Sequence, residues 1–196
     1  VGLSSVIAAI CQIFPGGENC WLFDQMDHAH WHGLHMYDLV FPTFLFIAGI
    51  SWPFSYDNKV SKGLSRKQIY LNIAKRFAVL FLLGLVYNRL LLNWNFLELR
   101  YYGVLARIGF CWAISCILYM HLGRKTREII AVSLLVGYYL LLRFVPVPGA
   151  ENLDPFSLEG NLPGYVDRCI RYNEHYHEFF DPEGLLSNIP AIVTAM

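Results

Sequence analysis

The stretch from Leu39 to Tyr56 reads LVFPTFLFIAGISWPFSY and contains no charged residue. A helix that crosses a bilayer needs about 20 mostly apolar residues, so this stretch can span a membrane. Pro42 leaves one backbone hydrogen bond unmade, which predicts a kink. Three further apolar stretches follow at 69–92, 101–122 and 128–143. We therefore predict an all-α, multi-pass bundle of transmembrane helices with about four full spans.

The composition of the chain agrees with a membrane protein. Of 196 residues, 56% are hydrophobic and 15% are charged, and the formal net charge is +0. Soluble domains carry about 25% charged residues, and disordered chains combine low hydrophobicity with high net charge. A nucleic-acid-binding protein would carry a basic surplus. The 5 cysteines form no disulfide framework and no C-x-x-C pair.

The two ends indicate that residues 1–196 are a fragment of one transmembrane domain. The chain begins at Val1 without an initiator Met or a signal-peptide charge pattern. Residues 1–14 look like the end of an earlier span, and residues 184–196 look like the start of a later one. We expect further elements on both sides.

Basic residues in the short loops predict the orientation of the helices. Segments 57–68 and 123–127 are rich in Lys and Arg, so we place both in the cytoplasm. Segments 16–37 and 93–100, and the long, mainly acidic loop 144–183, would then lie outside. This alternation agrees with a count of four spans.

The outer segment 24–38, DQMDHAHWHGLHMYD, holds most of the histidines. It permits a metal site, a solvated interfacial loop, or a catalytic histidine held by a carboxylate. Gly33 interrupts the segment and no H-E-x-x-H pattern occurs, so we expect no metal. Asp38 opens the first span and Arg107 lies inside the third. Ionisable groups are costly at membrane depth, so we predict that these two pair, either structurally or functionally.

Two motifs stand out in the outer loop. GNLPGYVDR occupies 160–168, and DPEG occupies 181–184. DPEG has the local pattern of a helix start, with Asp181 as the cap, Pro182 in the first position and Glu183 at the positive end of the dipole. VPVPG at 145–149 predicts the end of a helix, because proline cannot continue one.

These motifs together resemble a known family. HAHWHGLHMYDLVFPTFLFIAGIS (28–51), GVLARIGFCW (103–112), VPVPG, GYVDR and DPEGLLSNIPAIV follow in the order of the heparan-alpha-glucosaminide N-acetyltransferase family. The resemblance implies a bacterial-type membrane acyltransferase, in the bacterial inner membrane, with His28 as the active-site residue on the extracytoplasmic side. It also implies cytosolic acetyl-CoA as co-substrate and an amino sugar, free or within a glycan, as acceptor.

Under this resemblance, His28 either takes a proton from the acceptor amine or attacks the thioester and carries the acetyl group. Asp38 or Asp27 would orient its ring. Lys75 and Arg76, near the cytoplasmic face, are assigned to the phosphates of the coenzyme. The residues assigned to substrate binding are Arg107, Asp167, Arg168, Glu183 and Trp31. The partners expected are the acceptor and the lipid bilayer but no nucleic acid, and a homodimer is left open.

Two other classes of protein stay in competition. A transporter or permease could use Asp38 and Arg107 as a gate or proton relay within the membrane. A metal-binding membrane protein would depend on the histidine cluster alone. Measured transfer of an acetyl group would separate the enzyme from both.

Overall fold

The computed structural model describes residues 21, 25–26, 28–29, 31–92, 103–150, 152–170 and 183–196. Within these ranges the chain forms six α-helices and no β-strand, which confirms the all-α prediction. The helices are α1 (Val40–Ser61), α2 (Arg66–Leu92), α3 (Val104–His121), α4 (Arg124–Phe144), α5 (Leu162–Ile170) and α6 (Asn188–Ala195). A 3₁₀ turn, Met36–Leu39, directly precedes α1.

Three of the described helices are long and apolar enough to cross a membrane. The candidate spans are Met36–Ser61, Arg66–Tyr87 and Val104–His121, at the places of the first three predicted spans. Helix α4 occupies the place of the fourth, but it carries Arg127 and Glu128 near its start and Arg143 near its end. A fourth crossing therefore stays a prediction, and residues 1–14 lie outside the described ranges.

The position of Pro42 in α1 differs from the one that the predicted kink assumed. Helix α1 begins at Val40, so Pro42 lies in its first turn, where backbone N–H groups have no partner within the helix in any case. Pro42 therefore belongs to the start of the helix. The proline inside the helix is Pro53.

The chain divides into two compact units, Val1–Phe44 and Leu45–Met196, with the boundary inside α1. In the first unit, the described residues from His28 onward form an irregular loop that leads into the 3₁₀ turn. The second unit contains the rest of α1, helices α2 to α6 and a hydrophobic core.

Helix α3 is central to the second unit, because it packs against both α2 and α6. The core joins Trp52 of α1 and Ile69 and Ile73 of α2 to Trp112 and Cys116 of α3. Away from this core, the spans carry exposed apolar side chains, and Phe54 is 74% exposed. Surfaces of this kind are typical of helices that face lipid or other transmembrane helices.

Short turns join α1 to α2 and α3 to α4. A capping box begins α2: the Ser65 N–H donates to Gln68 Oε1 at 2.8 Å, and the Gln68 N–H donates to Ser65 Oγ at 3.4 Å. A hydrogen bond of 2.5 Å joins Tyr70 Oη, just after the first turn, to His121 Nε2, just before the second. Both basic segments therefore lie at one end of these helices. Their side of the membrane stays a prediction.

The segment after α4 confirms one local prediction and corrects another. Helix α4 ends at Phe144, directly before VPVPG, as predicted. In GNLPGYVDR, Asn161 Oδ1 accepts the Gly164 N–H at 2.6 Å and so caps α5. The predicted helix start at DPEG is wrong over its described part: Glu183 lies in a turn, and α6 begins at Asn188. The physical reason is a long-range contact to this turn, described below.

Candidate active site

His28 and Asp38 form a close pair in the first unit. Nδ1 of His28 lies 2.6 Å from Oδ1 of Asp38. The histidine side chain is 66% exposed, whereas that of the aspartate is 24% exposed. The Tyr37 ring meets the His28 ring edge to face, with centroids 4.5 Å apart. The carboxylate is therefore the less exposed member of the pair.

The backbone around Asp38 fixes its carboxylate. Oδ2 accepts the N–H of His35 at 2.9 Å and that of Ala29 at 3.4 Å. The Asp38 N–H in turn donates to His35 O at 3.1 Å, so residues 35 and 38 bond reciprocally at the start of the 3₁₀ turn. Gly33 turns the loop with a φ of +133°, which side chains with a Cβ rarely adopt. One carboxylate thus closes the loop and orients the ring.

The carboxylate also decides which nitrogen of His28 is basic. An ionised carboxylate only accepts hydrogen bonds, so Nδ1 carries the proton in this contact. In a neutral imidazole, Nε2 is then the basic and nucleophilic nitrogen. Catalytic histidines of acyl-transfer enzymes use the same arrangement. The pair can chemically serve either as a base toward an amine or as a nucleophile toward a thioester.

The other polar residues of this segment form no further centre that the structure describes. Trp31 contacts His32, with ring centroids 6.3 Å apart. Within the described ranges, no three His, Cys, Asp or Glu side chains gather in a metal-binding arrangement. Asp24, Asp27 and His30 lie outside those ranges, so an orienting role for Asp27 stays a prediction.

In the second unit, two predicted site residues hold the turn that precedes α6. Arg107 Nη2 donates to Ser187 O at 2.7 Å. Asp167, which is buried in α5, accepts the Leu185 N–H on Oδ1 at 3.0 Å. Hydrogen bonds with one charged partner are stronger than neutral ones. These tertiary bonds hold residues 183–187 as a turn, where the local DPEG pattern predicts a helix.

Gly184 and Asn188 complete this turn, and the sequence analysis did not single out either. A Cβ at Gly184 would overlap the carboxylate of Asp167. The buried Asn188 side chain donates to Gly184 O at 3.3 Å and to Leu185 O at 3.2 Å. Its Oδ1 accepts the thiol of Cys111 of α3 at 3.5 Å. In the sequence, Asn188 could have been noticed as a polar residue inside the apolar run 185–196.

A cavity of about 210 Å³ lies between α2, α3 and this turn. Phe77, Phe81 and Phe110 give it apolar walls, and Arg107 and Glu183 also line it. Pockets for drug-sized ligands occupy roughly 300–1,000 Å³. The cavity therefore suits a small organic group with one polar end, and it is too small for a whole coenzyme.

Comparison with known proteins assigns the chain to a family. Residues 20–158 match the family model described as heparan-alpha-glucosaminide N-acetyltransferase, catalytic. The chain belongs to this family. It is 29% identical over 240 residues to the heparan-alpha-glucosaminide N-acetyltransferase of Homo sapiens, covering 96% of this chain and 35% of the relative. The Mus musculus protein of the same name is 27% identical over 240 residues, with 96% and 36% covered.

The chain spans about a third of the length of these curated relatives. The match to the family model and to both relatives confirms the resemblance stated from the sequence motifs. The match to the N-acetyltransferase family model includes His28, Asp38 and Arg107, and it ends before Asp167 and Glu183.

The structure gives the following positions for the remaining residues that were predicted to belong to the site. Asp38 and Arg107 belong to different units of the chain, so their pairing stays a prediction. Arg168 is exposed, as is Lys75. Arg76 is exposed as well, and its Cζ lies 4.2 Å from the centre of the Trp112 ring. Helix α2 begins at Arg66 rather than near residue 69, so Arg76 lies further along its helix than predicted.

Proposed function

We propose that this protein is a membrane-bound N-acetyltransferase that uses acetyl-CoA from the cytosol. Its acceptor would be the amine of a glucosamine-type amino sugar on the extracytoplasmic side. The pairing of His28 Nδ1 with the shielded carboxylate of Asp38 carries the proposal, and both residues lie within the family match. The name of the two relatives supports both the reaction and the class of acceptor.

The chemistry needs a base, because an ammonium group is not a nucleophile. In direct transfer, Nε2 of His28 takes a proton from the acceptor nitrogen, the C–N bond forms and the C–S bond of the thioester breaks. The acceptor ammonium first releases one proton to water, and the proton that Nε2 takes from the attacking amine then goes to the departing thiolate. In the two-step route, Nε2 attacks the thioester and the thiolate leaves; the neutral amine then takes the acetyl group from the ring, and the proton that its nitrogen loses ends on the thiolate. Asp38 favours the reactive tautomer in both routes.

We assign acceptor binding to Arg107, Asp167, Arg168, Glu183 and Trp31, and binding of the coenzyme phosphates to Lys75 and Arg76. Arg107 and Glu183 line one cavity, which supports a role at the same ligand. Arg107 and Asp167 also hold the 183–187 turn. Their substitution therefore tests binding only alongside a measurement of thermal unfolding.

The test is acetyl transfer in sealed membrane vesicles. Acetyl-CoA labelled in the acetyl group is supplied on the cytoplasmic side, and glucosamine is supplied on the other side. The wild type should form labelled N-acetylglucosamine, and His28→Ala should lose this activity at equal protein level. Asp57→Ala is the control, because Asp57 is exposed on α1 and has no role in the proposed reaction. Equal activity of His28→Ala and the wild type would refute the site.

A second experiment separates the two routes and the competing class. In the absence of acceptor, label retained on the wild type but not on His28→Ala indicates the two-step route, and no retained label favours direct transfer. If a panel of amino sugars gives no product, while the vesicles accumulate an unmodified amino sugar, the protein is a transporter and the proposal is wrong.

A further inference from the structure

The two basic turns of the second unit lie side by side at one end of its helices. The turn between α1 and α2 and the turn between α3 and α4 are joined by the hydrogen bond of 2.5 Å between Tyr70 Oη and His121 Nε2. The two rings are also stacked, with centroids 6.2 Å apart and 27° between their planes. The charges of both turns therefore lie on one surface. We define this basic end surface by its exposed cations, which are Lys62, Arg66, Lys67, Arg124 and Lys125.

The basic end surface lies where the candidate membrane spans end. The span Met36–Ser61 ends directly before it, Arg66–Tyr87 begins within it, and Val104–His121 ends beside it. The hydrocarbon core of a bilayer is about 30 Å thick, and the polar headgroups begin directly outside that core. Lys and Arg at the ends of spans extend their charge to this boundary. When these helices cross a membrane, the basic end surface is therefore level with the lipid headgroups.

Most of this charge has no partner within the described chain. Arg124 Nε donates to Glu128 Oε1 at 2.9 Å, but the two side chains are 87% and 60% exposed. Exposed ion pairs of this kind contribute little free energy. The other four cations of the surface form no ion pair with a residue that the structure describes. The basic end surface therefore keeps an excess of positive charge.

The helices gain no stability from these cations. Arg66 and Lys67 lie in the first turn of α2, and Arg124 and Lys125 lie in the first turn of α4. Neither first turn contains an acidic residue. The N-terminal end of a helix carries a partial positive charge, so cations are unfavourable there. Helix stability does not account for these positions, whereas an anion outside the helices would compensate them.

We propose that the basic end surface binds anionic phospholipid headgroups in preference to zwitterionic ones. Clusters of about four to eight Lys and Arg directly beside a transmembrane helix attract anionic lipids. The surface consists of exposed side chains, which suits a ligand that reaches it in the plane of the membrane. Lys75 and Arg76, which are assigned to the coenzyme, lie further along α2 and are not part of it. The inference does not depend on the proposed reaction.

The first test is thermal unfolding of the protein in nanodiscs of phosphatidylcholine, with and without phosphatidylglycerol. A ligand that binds the folded state raises Tm, so phosphatidylglycerol should raise the wild-type Tm by at least about 2 °C. The quadruple glutamine variant, with Lys62→Gln, Arg66→Gln, Lys67→Gln and Lys125→Gln, should lose most of this rise. In phosphatidylcholine alone, its Tm should equal or exceed that of the wild type, because fewer cations then oppose the helix dipoles.

Arg143→Gln is the matched control for this test. Arg143 is exposed in the last turn of α4, about 28 Å along the helix from Arg124. This variant should keep the full rise in Tm with phosphatidylglycerol. A rise of the same size in the quadruple glutamine variant and in the wild type would overturn the inference.

The second test measures lipid association directly, with spin-labelled phosphatidylglycerol and phosphatidylcholine of the same chain length. The wild type should associate with the anionic lipid about fivefold more strongly, which is the effect of one cation at a headgroup. The quadruple glutamine variant should bring this ratio to within about twofold of one. Raising the salt concentration from about 0.05 M to about 0.5 M should lower the wild-type ratio in the same way. Equal association of both lipids with the wild type would also overturn the inference.

A third test distinguishes lipid headgroups from a soluble phosphate compound. Binding of coenzyme A to the wild type and to the quadruple glutamine variant is measured by calorimetry in phosphatidylcholine nanodiscs. If only the preference for phosphatidylglycerol is lost in the variant, the headgroup is the ligand. If the wild type shows no lipid preference and the variant loses coenzyme binding, the surface binds a soluble phosphate and the inference is wrong. Neither result depends on whether the protein transfers an acetyl group.

Discussion

Replacing Asp38 by Asn isolates the electrostatic part of the dyad, because Asn has nearly the same shape without the charge. The wild-type carboxylate bonds His28 Nδ1 at 2.6 Å and the His35 N–H at 2.9 Å. Asn offers one acceptor oxygen. If that oxygen keeps the His35 N–H, the side-chain NH₂ faces Nδ1, and the ring must carry its proton on Nε2. The nitrogen required for the reaction is then blocked.

The expected size of the effect follows from the geometry. A hydrogen bond to a charged group contributes about 1.5–3 kcal/mol, which corresponds to about a ten- to hundredfold change in rate. The His28 side chain is 66% exposed, so water can partly support the reactive tautomer and the loss should lie near the lower end. The bond to His35 persists, so the free energy of unfolding should change by less than about 1 kcal/mol.

The assay is acetyl transfer in sealed vesicles, with thermal unfolding of the same preparations. Asp57→Asn is the matched control, because Asp57 is an exposed aspartate elsewhere on α1. The double variant with His28→Ala should be no slower than His28→Ala alone, since both residues act through one ring. Transfer by Asp38→Asn at more than half of the wild-type rate would refute the role of Asp38.

Three further predictions concern stability and are checked by thermal unfolding in detergent. Gly184→Ala should destabilise the protein by about 1–3 kcal/mol, because its Cβ would overlap the Asp167 carboxylate. Gly137→Ala should instead stabilise it by up to about 1 kcal/mol, since no described atom beyond its chain neighbours and the nearby backbone of α4 lies within 4 Å of that Cβ; a loss of stability there would contradict the packing of α4. Asn161→Ala should cost about 1 kcal/mol through the lost cap of α5, and Asn161→Ser should recover most of it.

The helices could largely be predicted from the sequence, because long apolar runs need no partner to be recognised. Their boundaries depended on local chemistry. Ser65 and Gln68 begin α2 before the apolar run, and Pro42 lies at the start of a helix rather than inside it. The DPEG pattern misled for a different reason: Asp167, from another helix, binds the backbone at Leu185, and local propensity does not include such contacts.

The candidate site could be predicted from the sequence only in part. His28 came from the resemblance to the family, but the 2.6 Å contact of its Nδ1 with Asp38 could be seen only in the structure. The hydrogen bond between Arg107 and Ser187 joins residues 80 positions apart, which no periodicity reveals. The same holds for Arg76 and Trp112, since cation–π contacts have no signature in sequence spacing.

The hydrogen bond from Arg107 to Ser187 also has a consequence for biogenesis. Helix α3 leaves the ribosome 80 residues before its carbonyl partner does. At about 5–20 residues per second, translation takes roughly 4–16 s to supply Ser187. During that interval Arg107, in the first turn of α3, can extend its guanidinium toward the lipid headgroups. The hydrogen bond between Arg107 and Ser187 therefore cannot form before the 183–187 turn has been synthesised.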